Sequence, residues 1–234
     1  MNRQLLLNVL PVPIPTLENY IIGPNYEALH AIQTLKPGRA IYLWGSPGCG
    51  RSHLLRALSK KLNTIYINTE NQISVLYKLM NQYNLKDSFP KLIAIDDVDL
   101  FSQDSLSKIF SLYNQWYDLS ATKYAFSLAV SGKSSPLYLS IREDLRTRLA
   151  WDLVFQLKPL SDSEKSEALA AQTAERGLQK KPEVINWMLT HYDRDIRKLM
   201  ALLDALDRYS LSTGRHITIP LLRSMLANPE LYIL

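Results

Sequence analysis

The stretch Ala40–Ser52, AIYLWGSPGCGRS, constrains the fold more than any other part of the chain. AIYLW reads as a short buried strand that runs straight into a glycine-rich turn. SHLLRALSKKL (Ser52–Leu62) follows with helical periodicity, placing Leu54, Leu55, Leu58 and Leu62 on one side. A strand, a tight glycine loop and a helix in that order make a phosphate-binding loop. Gly45, Gly48 and Gly50 let backbone N–H groups turn inward, and the helix N-terminus adds its positive end. Ser52 stands where a hydroxyl binds Mg²⁺, and Arg51 occupies the position at which such loops carry lysine.

The same alternation continues on both sides of this unit. Thr64–Asn68 and Lys91–Asp96 read as strands, with a helix over Gln72–Tyr83 between them. Ser105–Leu119 reads as a helix and Tyr124–Val130 as a strand. Leu137–Leu149 reads as a broken helix and Trp151–Leu157 as the last strand. Strands alternating with helices predict an α/β fold, a parallel sheet flanked by helices, over residues 16–158. The character changes at residue 159. SDSE (Ser161–Glu164) is a capping box that opens a helix, and further helices are expected near Pro182–His191, Asp193–Ser212 and from Ile219-Pro220 onward. His216–Ile219 alone has strand character there. A small all-α domain is therefore expected over residues 159–234. Residues 1–15 carry Pro11, Pro13 and Pro15 and read as an extended tail.

A second chemical signal supports the first. LIAIDDVD is an apolar strand that ends in Asp96 and Asp97. A carboxylate at the end of the next-but-one strand is where a Mg²⁺ ligand belongs, so Asp96 is the candidate metal residue and Asp97 the candidate base. Both Arg51 and Asp97 alter the usual chemistry. Arginine is bulkier and binds oxygens in a fork, and Asp97 is one methylene shorter than glutamate. Misplacement by about 1 Å costs ~10²-fold in rate. These changes favour holding a nucleotide over hydrolysing it.

Composition sets outer limits. Hydrophobic residues make up 47% of the 234, enough for a sizeable core, and the net charge of +5 is not gathered into a dense basic run. The single cysteine, Cys49, excludes an internal disulfide and fits a reducing compartment. His30, His53, His191 and His216 lack metal-ligand spacing. Trp44, Trp116, Trp151 and Trp187 read as packing residues. No apolar run reaches the ~20 residues of a membrane span, so a cytoplasmic protein is expected.

GSPGCGRSHLL, LIAIDDVD, DLRTRLAWDLVFQL, KPLSDSEK and HYDRDIRKLMALLDALDRYS together resemble AAA+ proteins of the DnaA-related branch, in particular the regulators that inactivate the initiator DnaA. The likeness runs through essentially the whole chain. It implies a P-loop AAA+ sheet followed by a helical lid, holding ADP or ATP with Mg²⁺; Arg51 and the Asp-Asp pair are familiar in that branch. It implies that Arg148 is an arginine finger completing a neighbour's nucleotide site, with Arg146 a weaker candidate. It implies Ser131 as the residue at the end of the fourth strand that senses the phosphates, and Arg197 as the lid arginine that reports them, with Arg194 its neighbour. The tail QLLLNVL resembles a sliding-clamp-binding motif through Gln4, Leu5, Leu7 and Val9, although Asn8 stands where proline is usual. The partners implied are DnaA and the DNA polymerase III sliding clamp, with DNA reached through the clamp. The short stretch after the last lid helix is expected to leave no room for an initiator's DNA-binding domain. A homo-oligomer stays open, as do two competing readings: an autonomous ATPase or helicase-loader-like adaptor with Asp97 as its own base, and a nucleotide-gated adaptor that stimulates no hydrolysis.

Overall fold

A computed structural model describes residues 13–60, 63–82, 89–175 and 182–227. Its central element is β1 (Ala40–Trp44), whose first four residues are buried. Strand side chains alternate between faces, and here the alternation separates two cores. Ala40 and Tyr42 join one hydrophobic cluster, while Ile41 and Leu43 join the other. The same split recurs in β3 (Leu92–Ile95) and β4 (Ser127–Gly132), both fully buried. A strand buried on both faces must be covered on both, and five helices do this. On one face lie α1 (Tyr26–Gln33) and α2 (Arg51–Leu58), through Leu29, Ile32, Leu54, Leu55 and Leu58. On the other lie α3 (Gln72–Gln82), α4 (Gln103–Leu119) and α5 (Glu143–Leu149).

With β2 (Thr64–Ile67) and β5 (Leu153–Gln156), the sheet has the order β2-β3-β4-β1-β5, and every pair is parallel. The chain passes from β1 out to β2 and returns inward, so the carboxyl ends of β1, β3 and β4 lie side by side at one edge. Ligands of wound parallel sheets bind outside that edge.

The chain forms two compact units, Pro15–Pro159 and the residues from Leu160 onward. In the second, Ser161 and Glu164 form the reciprocal capping box: the Ser161 amide donates to Glu164 Oε2 at 2.7 Å, and the Glu164 amide donates to Ser161 Oγ at 3.2 Å. The box opens α6 (Asp162–Glu175). Helices α7 (Pro182–His191), α8 (Ile196–Thr213) and α9 (Ile219–Ala227) complete the unit around Leu169, Met188, Leu202, Leu206 and Leu222. No helix among the described residues is long and apolar enough to cross a membrane.

Several boundaries differ from the sequence-based expectation. The helix expected over Ser52–Leu62 runs Arg51–Leu58, starting one residue earlier because Gly50 supplies a left-handed turn at its N-cap. The strand expected over Tyr124–Val130 spans Ser127–Gly132, so Ser131 lies inside β4, paired with Leu43 of β1. His216–Ile219 is not a strand. The Thr218 carbonyl accepts from the Leu222 amide, and its hydroxyl accepts from the Leu221 amide, so the stretch serves as the entry to α9. Helix α1 is not among the elements expected from the sequence, although Ala28, Leu29 and Ile32 give it a buried apolar face.

At the entry to α1, Asn25 is buried and joins distant chain segments. Its Nδ2 donates to the Lys158 carbonyl at 2.9 Å, and its Oδ1 accepts from the Lys158 amide at 2.8 Å. This fixes the chain leaving β5 against the start of α1. Replacement by alanine breaks both bonds beside partly buried backbone, and each is worth about 1 kcal/mol. Asn25→Ala is expected to lower the urea midpoint by an amount equivalent to about 2 kcal/mol with an unchanged slope, read by circular dichroism.

Candidate nucleotide site

The loop after β1 closes by backbone contact that side chains would obstruct. A Cβ on Gly45 would stand 2.3 Å from the Leu157 carbonyl oxygen. Gly50 has φ +100° and lies against the ring of Tyr20, 2.7 Å from where its Cβ would be. Both positions therefore need glycine. Gly48, with φ +82°, lies between them with open space around it. Cys49 is buried beside Gly45, and desolvation pushes its thiol pKa up, so it serves as packing inside the loop. Ser52 is half-buried in the first turn of α2, and its side chain has no hydrogen bond within the described residues.

Arg51 turns back toward the sheet instead of reaching outward. Its Nη1 donates to the carbonyls of Gly45 and Gly132, both at 2.6 Å, and its Nη2 meets Asp97 Oδ1 at 2.9 Å. One guanidinium thus joins the carboxyl ends of β1, β4 and β3. Only 11% of its side chain is exposed. A buried guanidinium requires such partners, and its planar fork is able to address three acceptors in different directions.

The adjacent carboxylates have separate environments. Asp96 is buried and faces the neighbouring strands. Ser131 Oγ donates to its Oδ1 from β4, and the Tyr66 hydroxyl donates to its Oδ2 from β2, both at 2.6 Å. Asp97 adopts left-handed backbone, φ 52°, which directs it away from the strand, while its amide donates to Ser131 Oγ at 2.8 Å. Burial raises the Asp97 carboxyl pKa, the charge of Asp96 adds to the shift, and Arg51 opposes it. Ser131 is therefore the hydroxyl that bridges the two acids.

The site residues expected from the sequence divide into four groups. Gly45, Gly48, Gly50, Arg51, Ser52, Asp96, Asp97 and Ser131 are brought together at one edge of the sheet. Arg148 lies elsewhere in the same unit, half-buried near the end of α5, with its guanidinium 3.9 Å from the Phe110 ring centroid and 5.0 Å from that of Trp151. Its Nε is buried without a hydrogen bond. Arg146, on the same helix, is half-buried. Arg197 belongs to the helical unit, where Asp195 at the N-cap of α8 accepts from its Nη2 at 2.6 Å and from its Nε at 3.1 Å. Arg194 pairs with Asp162. Gln4, Leu5, Leu7 and Val9 lie outside the described residues.

Sequence reasoning missed Tyr20, Gly132 and Tyr66. The period of TIYIN places Tyr66 on one face of a strand, but no spacing links it to an acid 30 residues away.

The chemistry of this donor set fits an Mg²⁺–nucleotide. Asp96 and Ser52 are the residues that would hold the ion, since each Asp96 oxygen accepts one hydroxyl in the structure and has a further lone pair, and the Ser52 hydroxyl has no hydrogen bond among the described residues. No group of three or more metal-binding His, Cys, Asp or Glu residues exists among the described residues. Replacing Arg51 by methionine keeps the stem and removes the fork. Arg51→Met is expected to cost the ligand-free protein about 2 kcal/mol, measured as a lower urea midpoint.

Comparison with known proteins places this geometry. Residues 162–226 match the family profile described as the lid domain of Hda. An uncharacterized protein of Haemophilus influenzae is 32% identical over 238 residues, covering 97% of this chain and 99% of that protein. Domain III of the Thermotoga maritima replication initiation protein DnaA superposes with a TM-score of 0.68 at 21% identity, over 95% of this chain and 99% of that one. AMPPCP-bound DnaA from Aquifex aeolicus superposes with a TM-score of 0.64 at 21% identity, over 84% of this chain and 67% of that one. The fold is that of a P-loop AAA+ sheet with a C-terminal helical lid, as the sequence led us to expect. Residues 162–226 belong to the Hda lid-domain family, which together with the DnaA-type AAA+ fold makes this an Hda-like chain.

Proposed function

We propose that this protein is a cytoplasmic negative regulator of replication initiation. It binds an adenine nucleotide with Mg²⁺, docks through its tail on the DNA-loaded sliding clamp, and stimulates ATP hydrolysis by DnaA. Asp96 and Ser52 hold the Mg²⁺, which offsets phosphate charge. Gly45, Gly48 and Gly50 present backbone amides, and Arg197 answers to the phosphates from the lid. Gln4, Leu5, Leu7 and Val9 enter the clamp groove as an extended peptide.

The observation that carries this reading is the position of Arg148. The residue is half-exposed on aromatic faces near a helix end, and its guanidinium donates no hydrogen bond within the described residues. The buried Nε is closed off, but a guanidinium supported by stacking keeps its Nη donors for another molecule. Delivered to ATP on DnaA, it neutralises charge on the transferring phosphoryl group, an effect worth ~10³–10⁵ in rate for other NTPases.

The arrangement around Arg51 favours ADP as the bound nucleotide and weak turnover in cis. The loop cation is committed to Gly45, Gly132 and Asp97. Following a departing γ-phosphoryl group would require it to leave all three, and Asp97 would have to shed its ion pair to act as a base. This weighs against the autonomous ATPase.

Arg148→Ala is expected to retain ADP and clamp binding while losing at least ~10³-fold in stimulated DnaA hydrolysis. The check is a reconstituted assay with DnaA, clamp-loaded DNA and ATP. Undiminished stimulation by the variant refutes the role of Arg148, and a wild-type protein that leaves DnaA–ATP intact favours the adaptor without hydrolysis stimulation.

A further inference from the structure

The proposed metal carboxylate is held by a residue with no place in the phosphate-loop motif. Asp96 is almost fully buried, at 4% exposure, and its hydrogen bonds come from two neutral hydroxyl groups. Ser131 approaches from β4 and Tyr66 from β2, so the carboxylate is fixed from both neighbouring strands. The Tyr66 hydroxyl in turn accepts from Arg56 Nε at 3.2 Å. The guanidinium of Arg56 also lies 5.8 Å from the Tyr66 ring centroid. Arg56 follows Ser52 by four residues on α2, so the two share a helix face. The result is a short relay: a cation on α2, a phenol on β2, and the acid at the end of β3.

This order of groups has a physical consequence. An arginine placed directly on Asp96 would satisfy the carboxylate but compete with Mg²⁺ for it. A phenol placed between them polarises toward the acid, donates one strong hydrogen bond to a charged acceptor, and leaves the other lone pairs free. Asp97, one residue along, is committed to Arg51 instead.

Resting on the nucleotide reading above, we infer that Tyr66, braced by Arg56, is a positioning residue that orients Asp96 for the Mg²⁺ of the bound nucleotide. The pair acts through Asp96 and touches neither the ion nor the phosphates. Its contribution therefore belongs to the metal-dependent part of nucleotide affinity and not to the part supplied by the loop amides.

The test uses the full chain and fluorescent ADP, titrated once in excess Mg²⁺ and once in excess EDTA. The readout is the ratio of the two dissociation constants. Tyr66→Phe preserves the ring and removes the hydroxyl. It is expected to cut the Mg²⁺-dependent gain by about tenfold and to keep the EDTA value within about twofold of wild type, as the inference assigns Tyr66 no contact with phosphate. Arg56→Gln is expected to act in the same direction with a smaller drop; as Arg56 is exposed, it decides the matter alone should Tyr66→Phe fail to fold. Binding of Mn²⁺ to the ADP-loaded protein, followed by electron paramagnetic resonance, should weaken in parallel. An unchanged ratio in both variants overturns the inference and leaves the nucleotide reading standing. Equal losses with and without metal assign Tyr66 to packing and overturn it as well. A wild-type protein that binds ADP equally with and without Mg²⁺ removes the metal site itself, and the inference with it.

Discussion

The guanidinium of Arg51 is the interaction around which the ends of the sheet are arranged. Parallel strands leave their last carbonyls without partners at the carboxyl edge, and here three strand ends meet one buried cation. The loop glycines bring the Gly45 carbonyl within reach. The left-handed turn at Asp97 brings its carboxylate to the same place from β3. A lysine ammonium, a compact point charge on a flexible stem, lacks the planar spread that meets Gly45, Gly132 and Asp97 together. The substitution that makes this loop unusual is thus part of its internal bonding.

The two neighbouring acids illustrate how environment separates identical groups. Asp96 continues the strand direction and enters a pocket of hydroxyls between β2 and β4. Asp97 turns outward at a positive φ and pairs with Arg51. Ser131 accepts the Asp97 amide and donates to the Asp96 carboxylate, so a single serine couples both. Two adjacent carboxylates in low dielectric repel each other; opposed directions and different partners reduce that cost. The same separation divides their proposed roles, one near the metal and one held back from acting as a base.

The parts of the structure legible in the sequence are those governed by local rules. The glycine loop, the helix that follows it, the capping box at Ser161 and the apolar strand ending in Asp96 each depend on residues a few positions apart. The change near Pro159 from strand alternation to helical period is likewise a local signal. Helix α1 carries a local apolar face in Ala28, Leu29 and Ile32 that the sequence reading passed over, but the bond from Asn25 to Lys158 that fixes where it sits leaves no local trace. The apparent strand His216–Ile219 failed because Thr218 finds its partners one turn ahead in α9.

The sequence by itself determined that the chain winds a parallel sheet, turns through a glycine-rich loop after the first strand and follows the sheet with a set of helices, because hydrophobic period, glycine content and capping residues act over short range. The tertiary structure alone decided which groups the charged residues meet. Arg51 faces strand ends, Tyr66 reaches an acid across a β-pair, and Arg148 stacks on Phe110 and Trp151. Those contacts join segments distant in the chain, and a hydrogen bond or stacked ring depends on positions fixed to fractions of an ångström by the packed core. Spacing along the chain does not encode such positions.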